Sequence, residues 1–146
     1  MIALGCDHGG FALMCEIIKC LDERRLPYKN FGTYSEDSCD YPAIAELVSR
    51  AVAAGECEKG ILICGTGIGM SIAANKISGI RAALCSDSFS AEMTRRHNDA
   101  NILVLGARVI GTGLALHILD TFLKMPFEGG RHARRVDMLG KLDKCR

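Results

Sequence analysis

Short apolar runs alternate with longer segments of helical period along the whole chain. Ile2–Cys6 reads as a strand. In residues 11–24, Leu13, Ile17 and Leu21 recur every four positions and make one apolar stripe of a helix. Residues 28–31 read as a second, weaker strand, entered through Pro27 and closed by Gly32. Pro42 suits the first turn of a helix whose buried face is Ile44, Leu47, Val48, Ala51 and Val52, with Gly55 as its stop. Residues 60–64 are almost wholly apolar, as a central parallel strand should be. The alternation continues through a helix at 68–76, a strand at 80–85, a helix at 88–96 and a strand at 102–105. A helix near 114–124 and a basic helix near 131–144 complete it.

Five strands alternating with helices predict an α/β fold: a three-layer, Rossmann-like arrangement with helices on both faces of a parallel sheet. No internal repeat or linker interrupts the pattern, so residues 1–146 form a single domain ending in the basic helix from about 131. Ligands of such sheets bind beyond the carboxyl ends of the strands, at a topological switch point. Four segments qualify: Asp7-His8-Gly9-Gly10, the run from Cys64 to Gly69, Ser86-Asp87, and Gly106-Ala107-Arg108.

The second of these, Cys64-Gly65-Thr66-Gly67-Ile68-Gly69, lies between a buried strand and a helix. Glycines there let the backbone turn sharply and let an anion approach the amides at the helix start. A dinucleotide fingerprint is the rival, with Asp87 near the expected acidic position, but the third glycine falls one place early because position 70 is Met. A Walker A loop is excluded, since no Gly-Lys-Ser/Thr follows. What remains is an oxyanion loop carrying a hydroxyl, Thr66, and preceded by a thiol. The helix dipole favours thiolate at Cys64. Spacing alone leaves Cys64 evenly balanced between a reactive base and a buried core cysteine, as Cys85 is expected to be.

Other polar positions are equally two-sided. Asp7 can cap the next helix or serve a site, with His8 beside it. His97-Asn98 can end a helix or carry proton chemistry. Asp40-Tyr41-Pro42 fits a helix entry, and His117 sits on an amphipathic helix. Arg131 and Arg135 are more pointed, because residues four apart on a helix project from one face. Two guanidiniums placed so suit a phosphate dianion. Arg134 belongs to the solvated face.

Composition narrows the partners. Apolar residues are 49% and charged residues 24%, which describes a folded globular chain. A net charge of +1 and 5% aromatic content argue against nucleic acid. No apolar run reaches membrane-spanning length. Eight cysteines lack any Cys-x-x-Cys pair and follow an N-terminus without signal-peptide character, so free thiols in the cytoplasm are expected. Cys15 and Cys20 are expected to be small buried apolar residues. Scattered histidines and the absence of a zinc motif call for no metal, and no organic cofactor is implied.

Taken in order, Gly5-Cys6-Asp7-His8, Asp40-Tyr41-Pro42, Ile63-Cys64-Gly65-Thr66-Gly67-Ile68-Gly69, Ala73-Ala74-Asn75-Lys76, Arg95-Arg96-His97-Asn98 and Glu128-Gly129-Gly130-Arg131-His132 resemble the ribose-5-phosphate isomerase type B family, in the group that includes allose- and galactose-6-phosphate isomerases. The resemblance covers essentially the whole chain. It implies sheet order 2-1-3-5-4 and a homodimer whose active sites draw residues from both chains, leaving open whether dimers pair into tetramers. It implies Cys64 as the base of an enediolate reaction on a small sugar phosphate. Thr66 and the amides of Gly65, Gly67, Ile68 and Gly69 would steady the developing oxyanion. His97 and Asp7 would open the sugar ring and Asn98 would hold the sugar. His8, Arg108, Arg131 and Arg135 would hold the phosphate, with Asp40 a weaker candidate for a hydroxyl. Some members of the family use a Glu further along the loop, but positions 70 and 71 here are Met and Ser. The Arg131/Arg135 pair points to the ribose branch. A six-carbon aldose 6-phosphate substrate and a non-catalytic phosphosugar-binding module are the alternatives.

Overall fold

The computed structural model describes residues 1–143. Its strands are β1 (Ile2–Cys6), β2 (Tyr28–Asn30), β3 (Lys59–Cys64), β4 (Ala82–Leu84) and β5 (Ile102–Gly106). Its helices are α1 (Phe11–Glu23), α2 (Tyr41–Ala53), α3 (Ile68–Ala74), α4 (Ser88–Asn98), α5 (Thr112–Lys124) and α6 (Arg131–Leu142). A 3-10 turn at His8–Gly10, not foreseen from periodicity, leads into α1. The strands form one parallel sheet in the order β2-β1-β3-β5-β4, as expected.

Alternating side chains of the central strands feed two cores. Ile61, Ile63, Leu103 and Leu105 point to the face covered by α1 and α5, where Ile17, Leu21, Ile118 and Phe122 are fully buried. Leu62, Cys64, Ile102 and Val104 point to the other face, against Val48 of α2 and Met70 of α3. Burying both faces explains why β3 and β5 read as continuous apolar runs. Each large side chain so buried contributes about 1.5–3 kcal/mol.

Several boundaries differ from expectation. Strand β4 is only three residues long, because residues 85–87 turn into α4 and Ile80 packs below the sheet edge. Helix α3 stops at Ala74, where the Asn75 side chain bonds the Ser71 carbonyl and both backbone groups of Ala82. Helix α4 runs through His97 and Asn98, and the left-handed residue that ends it is Asp99, φ 46°. Gly55 follows α2 with φ 76°, the left-handed stop expected of it. Leu47, expected on the buried face of α2, is exposed, and Ser49 is buried there instead. Cys20 is buried but Cys15 faces solvent. Lys144, at the end of the expected basic helix, lies outside the described residues, and so does Cys145. Among the described residues no helix is long and apolar enough to cross a membrane.

Candidate active site

Strands β1 and β3 are neighbours whose connections leave in opposite directions, which puts the switch point at their carboxyl ends. A cleft of about 450 Å³ opens there, lined by Asp7, His8, Gly9, Tyr41, Cys64, Gly65, Thr66, Ile68, Gly69 and Arg108. Backbone bonds lace its floor together. The Asp7 N–H donates to the Ile63 carbonyl at 3.1 Å, and the Ala107 and Arg108 N–H groups donate to Cys64 and Gly65 at 2.9 Å.

Cys64 ends β3 with 5% of its surface exposed, and its Sγ accepts a hydrogen bond from the Gly67 N–H at 3.1 Å. The turn that brings this amide back onto the sulfur requires φ 79° at Gly67. Thr66 Oγ1 accepts from the Ile68 N–H at 3.3 Å, which leaves the hydroxyl proton for another acceptor. Two of the loop amides expected to serve an oxyanion are therefore turned to the loop itself, one to the thiol and one to the hydroxyl. Gly67 supplies backbone to the site without lining the cleft.

Asp7 takes both readings left open by the sequence. Its Oδ1 caps the 3-10 turn, accepting from the Gly10 N–H at 3.1 Å, while the residue also lines the cleft. The Nδ1 of His8 accepts from the Cys39 N–H at 3.3 Å. That bond places the ring proton on Nε2, a donor for an anion. Arg108 lies against Gly65, its guanidinium carbon 3.8 Å from where a Cβ would stand. Asp40 is exposed and does not line the cleft. Its neighbour Tyr41, overlooked in the sequence, does. The Tyr41 ring lies so close to Gly69 that a Cβ there would be 2.7 Å from Cζ. A Tyr within a helix-entry motif gave no periodic signal that could have singled it out. Asp87, weighed as a ribose ligand, instead turns its two oxygens onto Ser90, at 2.7 Å to N and 2.8 Å to Oγ.

The rest of the expected site is elsewhere in the chain. None of His97, Asn98, Arg131 and Arg135 lines this cleft. His97 stacks on the buried His132, with Glu128 between α5 and α6 facing both. The charges of Arg131 and Arg135 also act on His132. Its pKa is lowered, first by burial and then by His97 and these arginines. Asn98 lines a separate cavity beside Arg81 and Leu139. The end of α4 is held firmly. Arg95, buried against Phe122, bonds Asp99 Oδ1 at 2.9 Å and the Ala100 carbonyl at 2.6 Å, and Arg81 bonds Asp99 Oδ2 at 3.0 Å.

Residues 2–139 match the family model described as Ribose/Galactose Isomerase. The chain is 50% identical over 145 residues to ribose-5-phosphate isomerase B of Escherichia coli (strain K12), covering 99% of this chain and 97% of that one. Its fold superposes on ribose-5-phosphate isomerase B of Clostridium thermocellum with TM-score 0.97 at 54% identity, over 99% and 97% of the two chains. The Thermotoga maritima ribose 5-phosphate isomerase gives TM-score 0.94 at 48% identity, over 96% and 97%. The chain therefore belongs to the ribose/galactose isomerase family.

Proposed function

We infer that this chain is an aldose-ketose isomerase that interconverts ribose 5-phosphate and ribulose 5-phosphate, with Cys64 as the base. The observation that carries the reading is the thiol itself, held by the Gly67 amide at 3.1 Å in a cleft that also contains His8, Thr66 and Arg108. In the open-chain aldose, the Cys64 thiolate takes the proton from C2. The C2–H electrons form the C1–C2 double bond and the carbonyl pair moves onto O1. The Thr66 hydroxyl donates to the developing oxyanion, the charge that most needs preorganised stabilisation. Return of the proton to C1, with transfer of the O2 proton to O1, gives the ketose. His8 Nε2–H and Arg108 grip the phosphate.

The same reading makes the protein a homodimer with shared sites. It is supported by the absence of His97, Asn98, Arg131 and Arg135 from the cleft of their own chain. It is supported too by the exposed apolar side chains Ile68, Ile72, Leu84 and Phe89 near the loop and the sheet edge. Each chain would lend His97 for ring opening and its arginine pair for the phosphate to the cleft of the other. The seven described cysteines are free, which fits a reducing, cytoplasmic setting.

Cys64→Ala in a correctly folded protein should abolish turnover, and near-wild-type kcat/KM would sink the assigned base. Arg131→Ala should raise KM with kcat little changed. Mixing inactive Cys64→Ala and His97→Asn chains tests the shared site. Random reassortment restores about one quarter of wild-type activity if each site uses both chains, and none if each chain is self-sufficient. Parallel kcat/KM values for ribose 5-phosphate and allose 6-phosphate identify the preferred chain length.

A further inference from the structure

Glu128 belongs to a group that the proton transfer at Cys64 leaves unused. It is held to α4 twice, its N–H donating to the Arg96 carbonyl at 3.1 Å and its Oε1 accepting from Arg96 Nη1 at 3.1 Å. This double hold aims Oε2 at two imidazoles, 3.9 Å from His97 Nε2 and 3.7 Å from His132 Nε2. The rings lie face to face, with centroids 4.2 Å apart and planes 8° from parallel. His132 is buried, while the His97 side chain is 37% exposed.

Three donors within 4.8 Å would suggest a metal in other surroundings. Parallel rings, however, do not converge their lone pairs on one point, Glu128 is committed to Arg96, and Arg131 and Arg135 add positive charge. The same features suit the handling of one proton. Two imidazoles in contact resist being charged together. His132 is buried and His97 is partly exposed, so of the two rings His97 is the one that can meet a bound substrate, with Glu128 Oε2 facing its Nε2.

We propose that Glu128 is a positioning residue for ring opening, holding the His97 imidazole in its orientation, with His132 as the plate that fixes the plane of that ring. The proposal rests on the role given to His97 above. In that step the bond between C1 and the ring oxygen breaks and its electron pair goes to the ring oxygen, which takes the proton from His97. The C1 hydroxyl gives its proton to the Asp7 carboxylate as C1 becomes the aldehyde. Glu128 touches none of these atoms.

Ribulose 5-phosphate separates ring opening from isomerisation. Its 5-hydroxyl is esterified, so it has no five-membered ring, and exchange of its C1 hydrogens with solvent needs only the enediolate steps. Glu128→Gln and Glu128→Asp, each with Tm checked, are compared with wild type in two assays. One is conversion of ribose 5-phosphate and the other is C1 exchange from ribulose 5-phosphate in D2O, followed by NMR. Glu128→Gln should lose roughly tenfold or more in conversion, with partial rescue in Glu128→Asp. Exchange should stay within about twofold of wild type in both. Equal loss in the two assays marks a merely structural role and overturns the proposal, as does no loss in either. His97→Asn supplies the reference and should show the same split, larger. If His97→Asn spares conversion, the role of His97 falls and this one with it. A split in His97→Asn without one in Glu128→Gln overturns only the role of Glu128.

Discussion

Gly67→Ala tests how tightly the loop backbone is specified. At φ 79° an added Cβ costs roughly 1–2 kcal/mol by its clash with the chain's own carbonyl. That Cβ would also run into the Leu84 side chain and stand 3.1 Å from the Leu105 carbonyl. Leu84 lies on the exposed edge strand and can swing aside, but the β5 backbone is fixed in the ladder. Overpacking of this kind adds about 1–3 kcal/mol, for a total of about 2–5 kcal/mol. With a urea slope of about 2 kcal/mol per molar, the unfolding midpoint should fall by about 1–2.5 M at fixed protein concentration. The protein that remains folded should also lose turnover, because the Gly67 N–H can no longer sit 3.1 Å from Cys64 Sγ. A midpoint shift under about 0.3 M, together with unchanged kcat, would refute the argument.

Gly69→Ala should behave differently, since Gly69 lies in the first turn of α3 with helical backbone that alanine adopts readily. The new Cβ displaces the Tyr41 ring, so stability should hold while kcat/KM drops roughly tenfold, and an unchanged kcat/KM would remove Tyr41 from the site. Asp87 carries a carboxyl held below the ordinary range by its bonds from the Ser90 N–H and Oγ–H. Its folded pKa is the lower one, so its contribution is present above about pH 4 and lost as acid protonates the folded form. Asp87→Asn should therefore lower Tm at neutral pH, with the gap closing below about pH 4; a gap independent of pH contradicts this. Burial pushes the Cys6 thiol up to about 12 and the Cys85 thiol to about 11, whereas Cys15 is exposed. Iodoacetamide at pH 8 should label Cys15 in the native protein, and peptide mapping that finds Cys6 or Cys85 labelled before unfolding would overturn the ordering.

The sheet was legible because its central strands are buried on both faces and, after Lys59 at the start of β3, carry no polar residue that could suggest another period. Edges read less well. Three-residue β4 takes its limits from the Asn75 side chain and the turn into α4, which are tertiary contacts that propensity does not encode. The cleft half of the site was readable from Asp7, His8 and the glycine loop, since strand ends in this fold have a known use. Tyr41 and the Glu128–His132 pair were not, because each matters through a side chain brought up from a distant element. Spacing showed that Arg131 and Arg135 share a helix face, but not that this face would sit away from the cleft of its own chain. In the proposed dimer, which cleft that face serves is a property of assembly rather than of local sequence.

The bonds from Asp7, Ala107 and Arg108 to Ile63, Cys64 and Gly65 tie the floor around Cys64 to the sheet itself. As the proposed base, a thiol so mounted keeps one position for substrates of different length. On the function proposed above, chain-length preference then resides in how far the phosphate grip stands from the sulfur. In that reading the distance is set at the rim, by the segment that holds His8 through Cys39 and by the α6 arginines lent by the other chain. Changes there can retune the substrate from five carbons toward six while the chemistry beneath stays untouched. In the proposed reaction the floor is the invariant, and the rim is its gauge.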